Sequence, residues 1–275
     1  MLQQQMIANY HTHTYRCNHA NGTDEAYVRH AIAMGFRYLG FSDHVMLKGV
    51  DNPRSRGDYS QQADYIASVR SLQEKYRDQI TIYLGYECEA FEQRFGEFRN
   101  LLLNEGFDYL ILGNHARLTE EDQVEYYFHR PVTAEKLLAY RDTLIRGMET
   151  GLFSCVAHPD YFMDTFHEWN ELTEEVSRSI IDAAAELDIP LEFNLACFRR
   201  GKKHAIDHGG RVGYPLEAFW QIVRGKGVKT IIGIDAHHPE DILYNYRAAE
   251  DMLARLGIEP IRTLPFADKT KIHIA

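Results

Sequence analysis

The sequence predicts an α/β fold whose parallel strands close, or nearly close, into a barrel. Three observations lead there. Short apolar runs of strand length alternate with helical patterns along the chain. No low-complexity tract, charge run or linker breaks the alternation, so residues 1–275 read as one domain. Run after run also ends in a histidine or an acid. That pattern fits a ring of side chains at the carboxyl ends of barrel strands better than a doubly wound open sheet, which is the alternative.

The first run leads into Asn9-Tyr10-His11-Thr12-His13. Strand side chains alternate faces, so His11 and His13 point the same way, while His19 lies past the strand end. A helix follows from Tyr27 to Met34, with Val28, Ala31 and Ile32 at helical spacing, Asp24 and Glu25 suited to its first turn and Gly35 to its end. The second strand, Tyr38-Leu39-Gly40-Phe41, ends in Ser42-Asp43-His44. Two strands joined by a helix form a right-handed parallel unit, so His11, His13 and His44 emerge at one edge. Lys48 to Ser60 is a polar loop carrying Lys48, Arg54 and Arg56, of a length often used for lids and substrate walls.

A helix from Gln61 to Tyr76 precedes the third strand, Ile80 to Leu84, which runs into Gly85-Tyr86-Glu87-Cys88-Glu89. Another helix spans Glu97 to Asn104, and the fourth strand, Tyr109 to Leu112, closes in Gly113-Asn114-His115-Ala116-Arg117. The helix Ala134 to Thr150 leads to the fifth strand, Phe153 to Ala157, ending in His158-Pro159-Asp160. Thr173 is the expected N-cap of a helix reaching Leu187. The sixth strand, Leu191-Glu192-Phe193-Asn194, is followed by the basic stretch Arg199 to His204. Pro215 suits the first turn of a helix to Lys226. The seventh strand, Lys229 to Ile234, ends in Asp235-Ala236-His237-His238, and the last helix runs from Pro239 to Gly257.

Composition narrows the function classes. The chain is 45% hydrophobic, enough for a sizeable core at this length. No apolar stretch is long enough to cross a bilayer and Met1 to Ala8 lacks a signal-peptide pattern, so a soluble, cytoplasmic protein without a membrane partner is expected. A net charge of −10 argues against a protein that coats nucleic acid, but not against a small anionic substrate. The four cysteines form no Cys-x-x-Cys pair and read as reduced thiols; Cys17, between histidines, is a possible extra ligand.

The strand-end groups are His11, His13, His19, His44, Glu87, His115, His158, Asp235 and His237. Burying so many polar groups without partners would be costly, and a shared set of cations resolves that cost. Nitrogen and oxygen donors of this kind suit zinc, manganese or iron. Nine donors exceed what one ion takes, so at least two ions, and with this many donors three, are expected, with Glu87 able to bridge.

With the His-x-His start, Ser42-Asp43-His44, the lone Glu87, His115, His158-Pro159-Asp160 and Asp235-x-His237, the chain resembles the PHP (polymerase and histidinol phosphatase) superfamily from Tyr10 to about Pro239. The segment from His11-Thr12-His13 through His19-Ala20-Asn21-Gly22-Thr23 to His44 resembles its histidinol-phosphatase branch. The resemblance implies a distorted seven-stranded (β/α) barrel of PHP type with three divalent metal ions. By motif, His11, His13, Glu87 and Asp235 would hold one ion; Glu87, His115 and His158 a second; His19, His44 and His237 a third.

Such a site implies hydrolysis of a small-molecule phosphomonoester. The resemblance points to L-histidinol phosphate, a step of histidine biosynthesis, attacked in line by a metal-bridging hydroxide. Glu87 and Asp235 would organise the catalytic ions, and Asp43 and Asp160 are candidates for orienting histidines or protonating the leaving group. Arg117 and Arg199 are the candidate phosphate contacts, ahead of Arg200, Lys202 and Lys203. Asp160, Tyr161, Glu89 and Phe91 are candidates around the ammonium and imidazole. His129, His204, His208 and His238 read as surface or capping residues. The competing functions are a PHP phosphoesterase of nucleotide monophosphates or bisphosphates and a non-catalytic metal-binding regulatory protein.

Overall fold

The computed structural model describes residues 6–129, 131–166, 168–197, 213–242 and 246–274. Seven parallel strands form one sheet: β1 (Ala8–Asn9), β2 (Tyr38–His44), β3 (Thr81–Cys88), β4 (Tyr109–Leu112), β7 (Cys155–Val156), β8 (Leu191–Asn194) and β9 (Thr230–Gly233). Their spatial order follows their sequence order. The ends meet: His13 N donates to Ala236 O at 2.9 Å and Ala236 N to His11 O at 3.1 Å, so the chain just after β1 pairs with the chain just after β9 and the sheet nearly closes as a barrel.

Strand alternation divides the core in two. Leu84, Leu110, Leu112, Leu191, Phe193 and Ile232 face outward into the large core shared with the helices. Ala8, Tyr10, Tyr109, Ile111, Cys155 and Ile231 belong to a smaller cluster that Leu264 and Phe266 also join, the ring of Phe266 stacking on Tyr109 at 5.1 Å. On β3 and β8 the residues that alternate with the outward set include Glu87 and Glu192, each followed closely by the strand's end.

The helices between these strands are α1 (Asp24–Ala33), α2 (Gln62–Tyr76), α3 (Phe95–Leu103), α4 (Ala134–Glu149), α5 (Glu171–Glu186), α6 (Glu217–Lys226) and α7 (Tyr246–Leu256). Their starts follow capping chemistry: Thr23 caps α1 and Thr133 caps α4, each accepting from the backbone three residues on. Helix starts differ from expectation in places: Pro215, expected in the first turn of α6, lies just before its N-cap, Leu216. Asn170, not Thr173, caps α5, because its side chain accepts from Thr173 N at 3.1 Å while the Thr173 hydroxyl accepts from Asn170 N at 2.9 Å, a reciprocal box in which Thr173 is the inner member. Pro239 opens only a short 3-10 turn, Pro239–Asp241, before α7. A hairpin that the sequence did not announce, β5 (Ala116–Leu118) with β6 (Val124–Tyr126), projects after β4.

Candidate metal centre

All nine predicted donors lie within the described residues, and the carboxyl ends of the strands bring them together. Glu87 is the hub. Its Oε1 lies 2.8 Å from His158 Nε2 and 3.8 Å from His115 Nε2; its Oε2 lies 3.1 Å from His44 Nδ1, 3.4 Å from His13 Nε2 and 3.5 Å from His11 Nε2. Asp235 Oδ1 lies 3.1 Å from His13 Nε2 and 3.5 Å from His11 Nε2. The outer imidazoles pack on one another: the His237 ring is 4.2 Å from that of His13 and 4.7 Å from that of His19.

Local backbone geometry aims these groups. Asn114, His158 and Asp235 have φ of 44°, 30° and 54°, in the left-handed region that non-glycine residues seldom adopt, each at or beside a strand-end donor. Asn114 is held there by its amide, which donates to Tyr140 O and Thr143 Oγ1. Gly113 leaves the space that the Glu87 carboxylate fills, and Gly233 does the same for Glu192.

The donor chemistry fits divalent cations. Burial would raise the Glu87 carboxyl, but the imidazoles of His11, His44 and His115 hold it well below the usual carboxylate range; His11, with His13 and His237, does the same for Asp235. Burial would lower His11, yet Glu192, Asp235 and Glu87 raise it well above an ordinary histidine. His13 is pushed to about 9 against its burial by the nearby carboxylates of Asp235 and Asp43. Burial drives His44 well down, and burial with the neighbouring His13 does so for His237. His11 Nε2 and His13 Nε2 face each other at 3.2 Å between two carboxylates, a place where two nitrogen lone pairs and two anions need a shared cation. Donor atoms also cluster as His11, His13 and Glu87; as His44, Glu87 and His115; as His11, His158 and Asp235; and as His19, His44 and His237.

A cavity of about 620 Å³ opens over the cluster. Beyond the metal donors it is lined by Ser55, Glu89, Tyr126, Tyr161, Ala196, Tyr214, His238 and Asp241. Tyr161 stands edge-on to the His115 ring at 5.0 Å. No Lys or Arg among the described residues lines it.

The other predicted residues fall elsewhere. Arg117 is not brought to the cavity: it sits on the exposed face of β5 between buried Ala116 and Leu118 and pairs with Glu125 at 2.8 Å, because hairpin alternation turns it outward. Asp160 is buried below the site, where Oδ2 accepts from Leu216 N at 2.7 Å and Trp220 Nε1 at 3.2 Å; it does not line the cavity. Asp43 is buried too, accepting from the Thr14 hydroxyl and from His44 N. Phe91 is buried in the core under the Arg56 guanidinium. Cys17 is buried within reach of His13 and His237 as a possible further ligand. His238, read as a surface residue, is exposed but on the cavity rim. Arg199, Arg200, Lys202, Lys203, His204 and His208 lie outside the described residues.

Residue-level reading missed Glu192, whose carboxylate lies 2.9 Å from His11 Nδ1. The available signal was an acid inside an apolar strand, a buried charge that requires a partner. It also left Arg56 as one of three loop cations, whereas that guanidinium is 1% exposed and bonds Glu89 at 3.2 Å. Tyr126 and Tyr214 carried no signal of their own.

Comparison with known proteins follows the same lines. The family model described as PHP domain matches residues 9–196. The chain belongs to the PHP domain family. A probable histidinol-phosphatase of Deinococcus radiodurans is 24% identical over 260 residues, covering 91% of this chain and 94% of that protein. A probable histidinol-phosphatase of Schizosaccharomyces pombe is 23% identical over 280 residues, covering 90% and 86%. Among solved structures, the histidinol phosphate phosphatase of Lactococcus lactis, complexed with zinc, L-histidinol and phosphate, superposes with a TM-score of 0.70 at 17% identity, covering 98% of this chain and all of that one. The nearly closed parallel barrel expected from the strand ends, of the PHP type that the resemblance implied, is therefore the fold of this chain.

Proposed function

We propose that this PHP domain protein is a histidinol-phosphatase, a phosphoric monoester hydrolase that converts L-histidinol phosphate to L-histidinol and phosphate in histidine biosynthesis. The observation that carries the reading is the convergence of seven imidazoles, Glu87 and Asp235 beneath one open cavity. Relatives that align along nine-tenths of the chain and bear that name support the substrate.

We take the cofactors to be three divalent ions, zinc, manganese or iron. When bound, they would supply positive charge to phosphoryl oxygens and acidity to water. The chain's own residues do the rest. Glu87 offers one oxygen to His115 and His158 and the other to His11, His13 and His44, so it can be shared between ions. The rings of Tyr126, Tyr161 and Tyr214 form walls on which an imidazole can stack, and Asp241 at the rim suits an ammonium group. Asp43 and Asp160 act as positioning groups, since neither side chain lines the cavity. Arg199, three residues beyond the cavity-lining Ala196, is our candidate for the phosphate. We treat the whole chain as one catalytic domain in the cytoplasm, in keeping with four buried cysteines that form no disulfide among the described residues. A polyanionic nucleic-acid partner does not suit a net charge of −10.

The test is phosphate release by the purified protein, with metal content assayed in parallel, for L-histidinol phosphate against nucleotide monophosphates and bisphosphates. A strong preference for L-histidinol phosphate is expected. A preference for a nucleotide would move the same metal donors to a different substrate, and no turnover with metals bound would leave a binding protein.

A further inference from the structure

At the three proposed metal positions, the far nitrogens of His11, His115, His19 and His237 meet different acceptors. His11 Nδ1 lies 2.9 and 3.1 Å from the two oxygens of Glu192. Glu192 is 2% exposed, and its other contacts are neutral: His158 N at 3.1 Å and Asn194 Nδ2 at 2.8 Å. Among the described residues no Lys or Arg pairs with it. His115 Nδ1 lies 3.1 Å from Glu89, but that carboxylate is shared with the Arg56 guanidinium at 3.2 Å. His19 Nδ1 faces only a backbone carbonyl, that of Cys17 at 2.8 Å. His237 Nδ1 faces the Asp235 carbonyl at 3.0 Å, with the Asp235 carboxylate 3.4 Å away and turned also to His13.

A full, unshared anion behind an imidazole makes its other nitrogen the better donor to a cation. A carboxylate already paired with a guanidinium does this less, and an amide carbonyl least. Exposure runs the same way, from buried His11 through half-buried His115 to exposed His19.

We propose that the metal positions form a ladder of affinity set from outside the ligand set. The ion held by His11, His13, Glu87 and Asp235 is the tightest. The ion at His115 is intermediate, and the ion at His19, His44 and His237 exchanges most readily. Glu192 is the positioning residue that sets the top of the ladder, and Arg56 sets the middle by sharing the charge of Glu89. This rests on the metal-centre reading above.

The experiment loads the full chain with zinc, dialyses it against increasing chelator and counts the zinc retained. The wild type is expected to release zinc in separate steps. Glu192→Gln keeps the size of the side chain and removes its charge, so the last step should move to about ten- to a hundredfold less chelator. Glu89→Gln should move only an earlier step. Coincident curves for the wild type and Glu192→Gln, or a last step that shifts with Glu89→Gln instead, would overturn the ladder while leaving the metal centre intact. A wild type that holds no stoichiometric zinc would overturn the metal-centre reading and the ladder with it. Should Glu192→Gln not fold, Arg56→Met tests the same asymmetry from the other side. With Glu89 no longer shared, the middle step is expected at higher chelator, and a shift to lower chelator would overturn the proposal.

Discussion

Glu87 meets five imidazoles within 3.8 Å, and no other side chain in the cluster meets as many. Glu87→Gln keeps its shape but removes the charge that two ions would share. It should cost at least about a hundredfold in kcat/KM with a measurable loss of bound metal; full activity at full metal loading would remove Glu87 from its assigned role. Arg199→Ala should raise KM for the phosphomonoester and retain the metals, and an unchanged KM would exclude Arg199 from the phosphate. Asp160 tests burial by itself. Desolvation pushes its carboxyl to about 7, so folding takes up a proton between about pH 4 and about pH 7. Its contribution is fully present below the unfolded value and is lost as pH rises through 7. Asp160→Asn does not titrate, so the melting temperature of the variant relative to the wild type should climb across that window and level off above it. A flat difference would show that Asp160 is ionised in the folded protein.

At the scale of elements, strand ends carry the donor cluster and small residues make room for it. A methyl group at Gly113 would overlap the Glu87 carboxylate. Gly113→Ala should therefore destabilise the protein by about 1–3 kcal/mol in thermal or urea unfolding and weaken metal retention together; a stable variant with normal metal content would mean that Glu87 has another place to go. Strand β4 was legible as a compact apolar run ending in a breaker, and β8 as an alternation of apolar Leu191 and Phe193 with polar Glu192 and Asn194. The β5–β6 hairpin was not, since its two three-residue strands are partly exposed and present no apolar run to read. The same hairpin removes Arg117 from the site. The length of the loop after β2 suited either a lid or a substrate wall; Arg56 anchors it to Glu89, and Asn52 and Ser55 hold the Tyr126 hydroxyl at 2.6 and 2.5 Å. It is a wall joined to the hairpin.

For the whole molecule, metal loading and protonation compete for one set of lone pairs. His13, raised to about 9, and His11, raised well above its usual range, hold protons near neutral pH in the metal-free protein, and each must give one up to bind a cation. Zinc uptake is therefore expected to release protons in weakly buffered solution, and apparent affinity should rise with pH up to about 9. A pH-independent affinity would mean that neither imidazole is a ligand. The donors at the two ends of the chain also share the seam where the barrel closes, between His11, His13 and Ala236. Among the described residues no helix is long and apolar enough to cross a membrane, as the apolar runs implied.

The sequence by itself determined which residues could bind cations and that they would share one end of a parallel sheet. Strand periodicity and a polar group after each apolar run are local properties, and they carry that information without any knowledge of packing. Only the tertiary structure decided how the donors divide among clusters, and which groups stand behind them. Glu192 reaches His11 across 181 residues of chain, and Arg56 reaches Glu89 from a loop, through distances that no local pattern encodes. Those contacts exist because closing the barrel brings the buried charges of distant strands together, where each must find a partner of opposite charge or a hydrogen-bond donor.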